Sequence, residues 1–163
     1  MLKKKFIKLF KKEYKKYTKL LETAKKKQEA IIENDVKKLS SVLSDEQQLL
    51  DGIEKLEENR IELLKKIADK NDINNNEQIS FNKLVDLFSD KEKKELRKAK
   101  DNLMNILSEL EEINEENKQL IEDSLLINAQ NFEMIRNAVK KDNTYSKPGK
   151  KSEDGDHYID RKV

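Results

Sequence analysis

Cysteine and tryptophan are absent from this chain, and its 163 residues include only 3 glycines and 1 proline. Without cysteine there is no disulfide framework and no thiolate zinc site, which suits a reducing compartment. Scarce glycine and proline leave few tight turns. Aromatic residues make up 6%, too few for a thick globular core with buried loops. No apolar run approaches the roughly 18 residues that crossing a bilayer requires. The opening stretch Met1–Phe10 is basic, like the start of a signal peptide, but Lys8, Lys11 and Lys12 interrupt any apolar core. Export by that route is therefore not expected, and a cytoplasmic location is. No glycine-rich phosphate loop is present.

What remains is charge and helix-forming residues. Asp, Glu, Lys and Arg account for 42% of the chain, and Lys, Glu and Leu are abundant. Such a composition builds long helices that each bury one stripe. From about Leu2 to Ile32, Leu2, Phe6, Leu9, Phe10, Tyr14, Tyr17, Leu20, Leu21 and Ala24 recur at steps of three and four, the mark of an amphipathic helix. Asn34-Asp35 offers a cap, and a second helix reads from about 36 to 68 through Val42, Ile53, Leu63 and Ile67. The break is weak enough that one continuous rod is the alternative. Residues 69–78, rich in Asn and Asp, read as the clearest loop. A short helix follows over 80–88, with Ser80 as its cap, and Ser89 or Asp90 caps the next.

The last helix reads from about 91 to 140. Leu96, Leu103 and Leu110 are one heptad row, and Ala99, Ile106, Ile113, Leu120, Ile127 and Met134 are another. A helix of this length spans about 75 Å, so the economical arrangement folds the first two helices back along it. The expected fold is all-α: an elongated antiparallel bundle or coiled coil of about three long helices over 1–140, with a short connecting helix and a flexible tail over 141–163. Asn143, Pro148, Gly149 and Gly155 end the helical pattern there.

Charge is unevenly laid out. Residues 1–27 hold 12 Lys and 2 Glu, a net of +10, while 44–62 carry a net of −5 and 108–123 a net of −6. A basic helix suits nucleic acid or a membrane surface. The plainer reading, favoured here, is a solvated face beside acidic neighbours in the same bundle, because the whole chain is only +2. Neither nucleic-acid binding nor membrane insertion is therefore expected. Catalysis finds no support. The one histidine, His157, lies in the tail beside Glu153, Asp154 and Asp156, where flexible chain cannot preorganise metal ligands. No cofactor and no metal site is expected.

The informative feature is the last third of the long helix. After about Asn114 one seam position becomes Asn117, Ser124 and Asn131, while Ile121 and Ile135 extend the flank. Leu125, Phe132 and Val139 form a further row on another side, with Leu126 close by. Apolar residues on more than one face need more than one neighbour. The second neighbour is a partner helix, another copy of the chain, the N-terminal helix, or the Phe81–Phe88 segment.

Several stretches, in order, resemble the FlgN family of export chaperones for flagellar hook-associated proteins. They are Glu46-Gln-Gln-Leu-Leu followed by Ile53-Glu-Lys-Leu-Glu-Glu-Asn-Arg60; Ile79-Ser-Phe-Asn-Lys-Leu84; Ile113-Asn-Glu-Glu-Asn-Lys-Gln-Leu-Ile121; and Thr144-Tyr145 with the basic ending Arg161-Lys162-Val163. The lysine density of the first helix departs from the family's pattern. The resemblance implies a small helical chaperone, not an enzyme. It would bind the C-terminal segments of hook-associated (hook–filament junction) proteins in the cytosol, keep them unassembled, and deliver them to the flagellar type III export gate. In the family the C-terminal third holds cargo, which makes Leu120, Ile121, Leu125, Asn128, Phe132, Ile135 and Val139 the expected cargo contacts. Packing accounts for Leu120, Ile121 and Ile135 more readily than for the others. Tyr145, an aromatic in polar chain, is the expected docking residue for the gate's cytosolic domain. The alternatives are a structural coiled coil that oligomerises through its seam and a basic helix on a membrane or nucleic acid; a homodimer stays open.

Overall fold

The computed structural model describes residues 1–73 and 80–145, with side chains as far as 142. Among the described residues four helices follow one another: α1 (Leu2–Ile32), α2 (Val36–Lys70), α3 (Phe81–Asp86) and α4 (Asp90–Tyr145). No strand occurs among the described residues. The all-α expectation holds, and α1 and α2 are separate helices rather than one rod.

The turn between them is made without glycine. Asn34 takes the left-handed conformation (φ 55°), the Asp35 N–H donates to Ala30 O, and the Asn34 N–H donates to Ile31 O. This is the paired closure of a Schellman motif, with asparagine where glycine is usual. Asn tolerates that conformation because its short polar side chain finds local hydrogen bonds. Asp35 then caps α2 by accepting from the Lys38 N–H at 3.0 Å. The far end of α2 repeats the device: Asp72 has φ 52°, and the Ile73 N–H reaches back to Ala68 O.

Ser80 caps α3 by accepting from the Lys83 N–H. Of the two caps expected for α4, Ser89 is the one used. The Glu92 carboxylate accepts from the Ser89 N–H at 3.1 Å while Ser89 Oγ accepts from the Glu92 N–H, a capping box. Those hydrogen bonds hold the Glu92 carboxyl below its ordinary pKa.

By contacts the chain divides into two compact units, Met1–Glu122 and Asp123–Val163. The first holds two buried clusters. One joins Phe6, Ile7 and Phe10 of α1, Leu63 and Ile67 of α2, Leu84 and Phe88, and Leu96 of α4. The other joins Leu20, Leu21 and Ala24 with Ile53 and with Ile106, Ile113 and Leu110. Early α1 thus meets late α2 and early α4, and later α1 meets the middle of both. Within this unit α2 runs antiparallel to α1 and α4. Each large apolar side chain so buried contributes about 2 kcal/mol. The α3 segment closes one end, with the Phe6 ring 6.1 Å from that of Phe88.

In the second unit the described residues, 123–145, are helical, and every side chain described there is exposed. Burial therefore ends earlier than the 140 to which the heptad spacing extends. Ile127 and Met134, spaced as seam residues, are 55% and 70% exposed. The helix itself runs on past 140 to Tyr145, and residues 146–163, where the sequence places a tail, lie outside the described residues.

Candidate functional site

Leu125, Asn128, Phe132, Ile135 and Val139 succeed one another at steps of three, four, three and four. On an α-helix that alternation keeps all five on one stripe. Nothing among the described residues covers it: Leu125, Phe132 and Ile135 are each 63% exposed and Val139 is 54% exposed. The Phe81–Phe88 segment, one cover the sequence allowed, buries Leu84, Val85 and Phe88 instead within the first unit. Leu126, Ile127 and Met134, also exposed, stand off this stripe. On the helix, the flank and the further row that the sequence suggested run side by side as one stripe.

The stripe lies in an unusual stretch for so charged a chain. Ser124–Phe132 is nine residues without a charge, the longest such run in the sequence. An uncovered apolar row with few charges beside it recognises a partner by packing rather than by ion pairing. Asn128 interrupts it with a group that must hydrogen-bond once water is excluded.

The other two expected contacts belong to the first unit and sit differently. Leu120 is half-buried. Ile121, 37% exposed, lines a cleft of about 390 Å³ with Lys27, Glu46, Asn114, Asn117, Lys118 and Glu122. Lys27 and Glu46 pair across it at 3.1 Å. Asn117 is 2% exposed and donates from Nδ2 to Ala24 O at 3.0 Å, while its Oδ1 has no hydrogen-bond partner among the described residues. Tyr145, the expected docking residue, closes α4, and its side chain lies outside the described residues. The acidic cluster around His157 also lies outside them.

Sequence reasoning missed a buried ion pair. Glu13 is 1% exposed and accepts from Arg60 Nε at 2.9 Å. Burial raises its pKa above the ordinary 4.5, against the lowering effect of Arg60. Beside it Tyr17 donates to Glu57 at 2.8 Å, and burial with that acceptor pushes the phenol up to about 12. The signal was available, since Glu13 falls at stripe spacing between Phe10 and Tyr17. Most lysines of residues 1–27 stand on a solvated face, as the plainer reading of the charge layout has it. Among the described residues, Lys11 with Glu95 and Lys27 with Glu46 are the ones of that set that form ion pairs with acidic side chains.

Among the described residues, no group of three or more His, Cys, Asp or Glu side chains is placed to hold a metal ion, and no helix is long and apolar enough to cross a membrane. The described residues define an all-α bundle protein that carries an uncovered apolar helix row. The chain belongs to the FlgN family, whose model, described as FlgN protein, matches residues 1–153. No curated protein and no solved structure matches it. Membership brings a flagellar export chaperone role in general, and with it the binding of flagellar hook-associated proteins.

Proposed function

We propose that the chain binds the C-terminal segments of flagellar hook-associated proteins in the cytosol, keeps them from assembling early, and hands them to the cytosolic domain of the export gate. The observation that carries this reading is the row Leu125–Val139, four apolar side chains at heptad spacing, each more than half exposed. An amphipathic cargo helix laid on that row covers both partners' apolar stripes and lowers the free concentration of the assembly-prone end. Leu120 and Ile121 extend the contact set, and Tyr145 serves the gate.

Calorimetry tests it, with the purified chain titrated by C-terminal segments of hook-associated proteins, beside a Phe132→Asp variant. Saturable binding that the variant loses supports the reading. A folded wild type that binds no segment overturns it. Tyr145→Ala separates the two roles: gate binding falls while cargo binding stays, and equal loss of both refutes the separation. The coiled-coil alternative instead pairs copies through the heptad seam that ends in Ile127 and Met134, and sedimentation distinguishes it, since a tight homo-oligomer with no free apolar row favours it.

A further inference from the structure

The outer face of α1 is the other exposed surface that packing leaves unexplained. Lys4, Lys5, Lys8, Lys12, Lys15 and Lys19 are all exposed, and none makes a hydrogen bond or ion pair among the described residues. At 100° per residue they fall within an arc of about 100°, opposite Phe6 and Phe10, and they span about 22 Å along the axis.

Acids relieve this face only at its two ends, where Glu22 follows Lys19 by three residues and Glu92 of α4 feels the charge of Lys4. Glu13 is the single acidic residue among residues 1–21, and it is buried against Arg60. An ordinary solvated helix face mixes signs at i and i+4. The α1 face does not. Along its edge Lys5, Lys8 and Lys12, with Lys66 of α2, rim a cleft of about 370 Å³ whose floor is Leu2, Leu9 and Leu63. The acid in that cleft, Glu62, is already bonded to Lys66.

We propose that this face of α1 holds the chain against an anionic phospholipid surface. The lysines attract the headgroups, and the apolar floor of the cleft receives the first methylenes of a lipid beneath its charged head. Nucleic acid fits less well. Residues 1–27 contain no arginine for bidentate base contacts, Phe6 and Phe10 are buried, and Tyr14 and Tyr17 pack against a core cluster rather than standing among the lysines, which leaves the lysine face itself without an aromatic for base stacking. This surface is distinct from the cargo row, so either assignment can fail without the other.

The test is co-sedimentation of the full chain with phosphatidylcholine vesicles and with vesicles holding about one-third phosphatidylglycerol. The chain is expected on the anionic vesicles alone, and to come off as salt is raised. Lys8→Glu, Lys12→Glu, Lys15→Glu and Lys19→Glu together are expected to lower partitioning at least about tenfold. The same four changed to Gln give a smaller loss, and melting and cargo binding stay unchanged in both, because these side chains hold no partner. Equal binding to neutral vesicles overturns the proposal. So does no binding to anionic vesicles at low salt, unchanged partitioning in both variants, or displacement from the vesicles by an equal charge concentration of duplex nucleic acid.

Discussion

Arg60 holds Glu13 by a hydrogen bond of 2.9 Å from Nε to Oε1, and the carboxylate side chain so held is 2% exposed while the guanidinium is 29% exposed. The pair therefore has one end in the bundle and one in water. Glu13 binds its proton more readily folded than unfolded, since burial raises its pKa. Its own titration thus lowers stability as pH rises from the ordinary value through the raised one, and Arg60 limits the loss. Arg60→Ala should cost about 3 kcal/mol at neutral pH, by leaving a buried carboxylate unpaired. The cost should shrink as pH falls below the raised pKa, where the protonated carboxyl needs no counter-charge. Urea midpoints at neutral and mildly acidic pH check this, and a pH-independent cost contradicts it.

Asn117 illustrates the reverse case. Its Nδ2 is used, but its Oδ1 meets no donor among the described residues. Replacing such a side chain by an apolar one of similar size removes an unmatched acceptor and costs one hydrogen bond. Asn117→Leu is expected to be neutral or to stabilise by about 1 kcal/mol. A drop in melting temperature would show that the amide is satisfied in solution.

Asn128 is the one polar member of an apolar row. A lone Asn at a seam position lowers stability while fixing register and limiting which helices pair. Asn128→Leu should make the row continuously apolar and raise self-association, read by sedimentation velocity over a concentration series. The same change should weaken discrimination among hook-associated segments rather than abolish their binding. A variant that stays as monodisperse as the wild type argues that Asn128 does not restrain pairing.

Asn34 carries the turn between α1 and α2 at φ 55°. Asn34→Ala should destabilise by about 1 kcal/mol, the cost of a Cβ without a compensating polar group in that conformation. Asn34→Gly should be neutral or slightly stabilising. Thermal melts of the two variants should therefore separate, and coincident melts would mean that the turn relaxes to another closure.

Most of the fold was legible because long helices announce themselves. Stripe residues such as Phe6, Leu20, Ile53 and Ile106 recur at three and four and are buried. Ser80 and Asp35 are capping residues that cap. Where burial stops was not legible. Ile106 and Ile113 keep the same heptad step as Ile127 and Met134, yet the first two are buried and the last two exposed. Periodicity reports which side of a helix is apolar; whether a neighbour exists to cover that side depends on where α1 and α2 end. Net charges summed over blocks likewise say nothing about which side chains come within reach of one another, so the pairs Lys11–Glu95 and Lys27–Glu46 could not be read in advance.

Residues 123–142 are helical throughout and bury no side chain. This stretch continues α4 beyond its packed part, so its helix is nucleated there but is held along its own length by local propensity rather than by tertiary packing. Amide hydrogens along this stretch should exchange well before those of the packed clusters. Any partner that reads the row as a helix must wait for, or induce, the formed fraction, and its apparent grip is weakened by that fraction. On the proposed function, the time the stretch spends formed would set the balance between holding and letting go, with no bond made or broken to do so.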